Sequence, residues 1–214
     1  MNYKKAQAIV NTYQLLPALF GGRVDNTGAI EISVYGHKAL NKSNMVDVDT
    51  SFVLGSCSKS LTAAMIIKAC FDNHLSVDTI SIGSVIPTVK DEYKDITLRQ
   101  LLCMTSGIYD GFYIADTNFW KSFVNNYDNL RDQRALLTQK ICGKDSPRPV
   151  FPPGTAYSYS NFGYTVATHI IETKLNNTYE NLAPDGVIVE NEENIHSWND
   201  FTEFYVDYTS SIAV

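Results

Sequence analysis

Apolar residues recur along the 214-residue chain in different rhythms, and each rhythm predicts a different element. Residues 4–16 have the spacing of a short helix. Two β-prone stretches follow, at about 17–24 and 29–36, the second carrying Ile30, Ile32, Val34 and Tyr35. Asp25-Asn-Thr-Gly28 between them is turn-forming, so the pair reads as a hairpin. From Leu61 to Phe71 the chain is apolar nearly all round, through Ala63, Ala64, Met65, Ile66, Ile67, Ala69 and Cys70. That pattern predicts a helix buried at the centre of the protein. His74-Leu-Ser-Val-Asp78 leaves it as a turn.

Thr97 is placed to cap a short helix through Leu98, Leu101 and Leu102, with a stop at Ser106-Gly107. Residues 108–150 are polar and aromatic and read as a mainly helical insert with loops. Phe151-Pro-Pro-Gly154 forms a rigid turn, and Phe162 to Leu175 has helical periodicity through Val166, Ile170 and Ile171. Over 181–214 the pattern weakens into a divergent tail, with a short strand expected at Val187–Val189 and an amphipathic helix at Asp200–Tyr208. There is no internal repeat and no linker, so one domain is expected across 1–214.

Composition narrows the partners. Hydrophobic content of 44% and aromatic content of 12% suit an ordinary folded core. A net charge of −6 argues against nucleic acid, whose phosphates call for a basic face. The early stretch AQAIVNTYQLLPALF is interrupted by Asn11, Gln14 and Pro17, so no secretory leader is read there. No uncharged run approaches membrane-spanning length. Both points tilt the expected compartment toward the cytoplasm. Cys57, Cys70, Cys103 and Cys142 are scattered without a C-x-x-C pair, and buried free thiols are the expectation. No His/Cys cluster has zinc-ligand spacing, so neither a metal nor another cofactor is expected.

The chemistry concentrates at Phe52-Val-Leu-Gly-Ser56-Cys-Ser-Lys59. A serine hydroxyl is a poor nucleophile until a base takes its proton. Residues i and i+3 share a helix face, so Lys59 can reach Ser56 without a histidine. Burial at the head of an apolar helix disfavours a charged amine and suits one that must accept a proton. The helix N-terminus adds backbone N–H groups that favour a developing oxyanion. The plainer reading is a capping serine beside a solvated lysine, which leaves their place at the head of the most apolar helix unexplained.

A second constellation is Tyr159-Ser-Asn161, after Pro152-Pro-Gly-Thr155 and at the start of a helix. A phenol near Lys59 could relay a proton to a leaving group, and the Asn161 amide could hold a substrate carbonyl. Core packing with a capping asparagine is the plainer alternative. Tyr127-Asp-Asn129 and Tyr179-Glu-Asn181 repeat the bare pattern but lack the turn-then-helix setting. His37, His74, His169 and His196 read as structural or solvated.

Taken together these segments resemble the serine β-lactamase and penicillin-binding-protein superfamily, in its class C β-lactamase, esterase and D-aminopeptidase branch. The likeness is carried by Phe52–Lys59 with Ser-Leu-Thr-Ala, by His74–Asp78, by Ile96–Gly107, and by Pro153–Tyr164, and it covers about residues 15–180. It implies an α/β (α+β) fold, with an antiparallel sheet packed on a central buried helix, plus a helical subdomain. It also implies acylation of Ser56 by an amide or ester substrate, small molecule or peptide, with Lys59 and Tyr159 sharing the proton transfers and Asn161 binding substrate.

Two departures from the family pattern stand out. Met104 occupies a position where the family usually has histidine, a mainly structural one. The family's third motif, a Lys- or His-x-Gly strand, is absent: none of the twelve glycines has a lysine or histidine two residues before it. Only Phe162–Val214 follows the tyrosine motif, so the C-terminal sheet strands are expected to be missing and the chain to be truncated. The absent strand would supply one oxyanion donor, the loss of which costs roughly 3 kcal/mol. Three readings follow: a serine hydrolase, a relative that is acylated or binds without turnover, and a protein-binding scaffold.

Overall fold

The computed structural model describes residues 3–12, 16–39, 43–50, 55–111 and 129–182. The chain divides into two compact units, residues 1–53 and 54–214. In the first, helix α1 (Tyr3–Thr12) lies against a two-stranded antiparallel sheet, β1 (Ala18–Val24) and β2 (Ile30–Gly36). The register runs from Ala18↔Gly36 to Val24↔Ile30, as the hairpin reading requires. Asp25 closes the turn: its Oδ1 accepts from the Thr27 amide at 2.8 Å and the Ala29 amide at 3.0 Å. Gly28 at φ +85° takes the left-handed position that a side chain would strain. One sheet face carries Phe20, Val24, Ile30 and Ile32, all exposed. The expected antiparallel sheet is present, as a small one.

The second unit is helical. A 3₁₀ turn, Gly55–Cys57, runs into α2 (Ser58–Asp72); short helices α3 (Ile82–Val85), α4 (Asp91–Lys94) and α5 (Leu98–Leu102) follow. Then come α6 (Leu130–Cys142), α7 (Asn161–Leu175) and α8 (Tyr179–Leu182). Thr97 caps α5 as expected, in a reciprocal capping box with Gln100. The Val187–Val189 strand and the Asp200–Tyr208 helix lie outside the described residues.

Helix α7 is the hub, packed against α2, α3, α5, α6 and α8. Val166, Ala167, Ile170 and Ile171 are fully buried, and each large aliphatic contributes roughly 1.5–3 kcal/mol by leaving water. Ser160 caps its start and Asn176, at φ +49°, ends it in the left-handed conformation. The all-round apolar run in α2 predicted burial on every side. The structure buries one side, through Ser58, Lys59, Thr62, Met65, Ile66, Ala69 and Cys70, while Leu61, Ile67 and Phe71 stay exposed. The buried side is the one that meets α7 and Tyr179. The cysteine reading is corrected in part for the same reason: all four thiols are free, but only Cys70 and Cys142 face the core.

A charged cluster sits inside this helical core. Arg134, 1% exposed, donates to Glu172 at 2.6 and 3.1 Å and to Glu180 at 3.0 Å. Glu172 also accepts the Tyr179 amide at 2.9 Å, which ties α8 to α7 and α6. Glu172→Ala would leave the Arg134 charge buried and half-paired, and is expected to cost about 3–5 kcal/mol in urea denaturation. His169 lies beside this cluster. Burial, reinforced by Arg134 and Arg131, lowers its pKa from 6.5 to about 4. The unfolded chain therefore binds the extra proton first as pH falls. His169 contributes fully to stability above pH 6.5, and the contribution is lost as pH drops toward 4, at most about 3 kcal/mol. Thermal melts across that window should show the acid loss in the parent chain and a flatter profile in His169→Gln.

Candidate active site

Ser56 stands exposed on the 3₁₀ turn that leads into α2, and Lys59 lies one turn further along, 4% exposed. The Ser58 hydroxyl donates to the Gly55 carbonyl at 2.7 Å and closes that turn. The Lys59 amine donates to Ser56 Oγ at 3.2 Å and to Asn161 Oδ1 at 2.7 Å. It also lies 5.2 Å from the Tyr159 ring centre and 5.7 Å from that of Tyr164. Among the described residues it forms no ion pair. Its two hydrogen-bond acceptors are neutral oxygens, and aromatic faces line the remaining space around it.

The other wall comes from two segments stitched side by side. Met104 O accepts the Ser158 amide at 2.9 Å, Thr105 O the Gly154 amide at 2.7 Å, and Gly107 O the Val150 amide at 2.9 Å. This run ends at the start of α7, where the Tyr159 phenol donates to Ser56 Oγ at 2.5 Å. Tyr159 is half-exposed, and Ser56 is itself exposed. Tyr164 anchors the base of the site through its hydroxyl, which donates to Leu102 O at 2.9 Å. Burial raises its phenol above the ordinary value, and weaker effects of Cys103, Tyr159 and Tyr157 add to it. It stays a neutral donor.

All four residues singled out from the sequence converge. The phenol meets the serine rather than the amine, and the Asn161 oxygen is occupied by Lys59. The sequence reading passed over Asp110, buried beneath the Tyr159–Asn161 turn, and Tyr164. Neither carries a local signal, since a lone Asp in a loop and an aromatic in an apolar helix are commonplace. Among the described residues no group of three or more His, Cys, Asp or Glu side chains could hold a metal, and no helix is long and apolar enough to cross a membrane.

The family profile described as Beta-lactamase matches residues 18–188. The chain belongs to the beta-lactamase family. A D-aminopeptidase from Cereibacter sphaeroides is 24% identical over 173 residues, 78% of this chain and 31% of that protein. A D-alanine carboxypeptidase from Burkholderia cenocepacia superposes with a TM-score of 0.62 at 22% identity, over 84% of this chain and 44% of its own. A penicillin-binding protein from Bacillus halodurans gives 0.60 at 23% identity, over 83% and 52%. At such identities the structural likeness establishes the fold. The chain spans about a third of the curated relative it matches and about half or less of these structures.

Within this beta-lactamase-family fold Met104 takes a left-handed conformation, φ +58°. Its carbonyl holds Ser158 and its sulfur accepts from the Tyr157 hydroxyl at 3.2 Å, so it fastens the two stitched segments. The Lys59 amine is buried with two neutral oxygens as its acceptors. Lys59→Met keeps the stem and removes the desolvated amine, and is expected to stabilise the fold by about 1 kcal/mol, read as a higher urea midpoint. A lower midpoint would contradict the view that this lysine is held against a stability cost.

Proposed function

We propose that this chain is a serine hydrolase acting on amide or ester bonds through an acyl-enzyme on Ser56. The supporting observation is that one exposed hydroxyl, Ser56 Oγ, lies within hydrogen-bond distance of both a buried amine and a phenol. Lys59 Nζ and the Tyr159 hydroxyl oxygen are the two groups placed to take its proton as Oγ attacks the carbonyl carbon. The tetrahedral intermediate then collapses. The leaving amine or alcohol carries away that proton, and the acyl group stays on Ser56 until water attacks it. Asn161 Nδ2 orients the substrate carbonyl, and its Oδ1 holds the lysine in place. The names of the relatives, D-aminopeptidase and D-alanine carboxypeptidase, favour amide substrates, either small molecules or peptides.

A second reading rests on the absence of a Lys- or His-x-Gly motif from these 214 residues and applies where no other segment supplies that donor. With one oxyanion donor fewer, acylation slows and deacylation can stop, which yields a protein that is labelled once and does not turn over. Intact-mass spectrometry after incubation with a penicillin or a fluorophosphonate separates the two. An adduct on Ser56 that appears and then decays with penicillin supports hydrolysis; a lasting one supports acylation alone. Tyr159→Phe should slow adduct formation by on the order of a hundredfold or more. An unlabelled parent chain, or equal labelling of Ser56→Ala, would sink both readings.

A further inference from the structure

A carboxylate buried in a protein has to be matched by donors, and Asp110, 6% exposed, is matched by three consecutive residues. Its Oδ1 accepts the Ser160 hydroxyl at 2.7 Å and the Phe162 amide at 3.2 Å, and its Oδ2 accepts the Asn161 amide at 2.6 Å. Ser160 Oγ in turn accepts the Gly163 amide at 2.9 Å. These amides are the first of the fifteen-residue helix α7, where a negative charge is favoured by the helix dipole and by donors with no partner within the helix. Ser160 already caps this helix. Asp110 arrives from fifty residues earlier in the chain and adds a tie between loop and helix.

That tie sits under the site. Tyr159 and Asn161 flank Ser160; one reaches Ser56 and the other Lys59. We infer that Asp110 is a positioning residue of the Ser56 site. It fixes the backbone at 160–162, from which the phenol and the amide project, and touches neither the reacting hydroxyl nor substrate. The loop carrying Asp110 is itself fixed. Gly107, at φ +78°, packs so closely that an added Cβ would lie 2.7 Å from Phe151 O and 2.9 Å from Pro149 Cβ. Displacements of about an ångström at such a distance from the chemistry can cost a hundredfold in rate. The inference rests on the acyl-enzyme reading above, and its test separates the two.

Asp110→Asn preserves size but turns one acceptor into a donor. Whichever way the new amide faces, the Asn161 or the Phe162 amide meets an N–H. In the full 214-residue chain, labelling of Ser56 by a small fluorophosphonate is followed by intact mass at several probe concentrations. The maximal labelling rate is expected to fall about ten- to a hundredfold, with half-saturation little changed, at a temperature where melts show the variant folded. Leu137→Ala, a core change at a residue with no hydrogen bond to this loop, should label at the parent rate. Ser160→Ala removes one of the three contacts and should slow labelling by a smaller factor. Proton–nitrogen NMR gives a readout free of chemistry: the Asn161 side-chain amide should shift in Asp110→Asn and hold in Leu137→Ala. Parent-rate labelling in Asp110→Asn or Ser160→Ala, or a rate loss matched by Leu137→Ala, would overturn the inference. If the parent chain takes no label, the acyl-enzyme reading fails by itself. An unmoved Asn161 amide in Asp110→Asn then overturns the positioning role as well.

Discussion

The hydrogen bond from the Lys59 amine to Asn161 Oδ1, across 102 residues of sequence, is the contact on which the site depends. It joins the head of α2 to the head of α7, so the two helix starts face one another and their polar groups share one space. Remove it and a buried amine loses its shortest acceptor while Ser56 loses its fixed neighbour. Everything else in the site refines the meeting of these two helix ends. Tyr159 reaches the serine because it precedes α7 by two residues, and Ser56 stays exposed because its turn stops short of the helix proper.

Two kinds of packing keep those ends in place. On the apolar side, α7 is buried along most of its length, and its partners α2 and α5 contribute side chains such as Ile66, Leu98 and Leu101 that are shut off from water. On the polar side, Arg134 with Glu172 and Glu180 fixes the far half of α7, and Thr62 with Tyr179, 2.8 Å apart, links α2 to α8. Burial pushes the Tyr179 phenol up to about 12, so it remains a neutral hydrogen-bonding group throughout the physiological range. These buried polar groups bond to partners on other helices, while Arg134 Nη1 is buried without a hydrogen-bond acceptor among the described residues. They specify how the helices cross more than they add net stability.

Belonging to the beta-lactamase family accounts for the order of these parts, while the chain spans only part of the length of its relatives. Phe20, Val24, Ile30 and Ile32 on one sheet face, and Leu61, Ile67 and Phe71 on α2, are apolar side chains in water. Exposed apolar surface of this kind commonly marks a contact region. The hydrogen bonds among Ser56, Lys59, Tyr159 and Asn161 involve none of them.

Features that act within one turn of chain were legible in the residues themselves. Ser56 and Lys59 three apart, the Thr97 cap, the hairpin about Asp25 and Gly28, and the helix after Asn161 all follow from spacing and turn chemistry. They obey short-range geometry that hardly depends on the rest of the fold. Only the tertiary structure decided which side of α2 is buried, that Cys57 and Cys103 are exposed while Cys70 and Cys142 are not, that the phenol bonds the serine rather than the lysine, and that Asp110 lies beneath the Tyr159–Asn161 turn. Each of those outcomes depends on how α7 packs against α2 and α5. Such contacts join residues fifty to a hundred positions apart, and no local propensity encodes them.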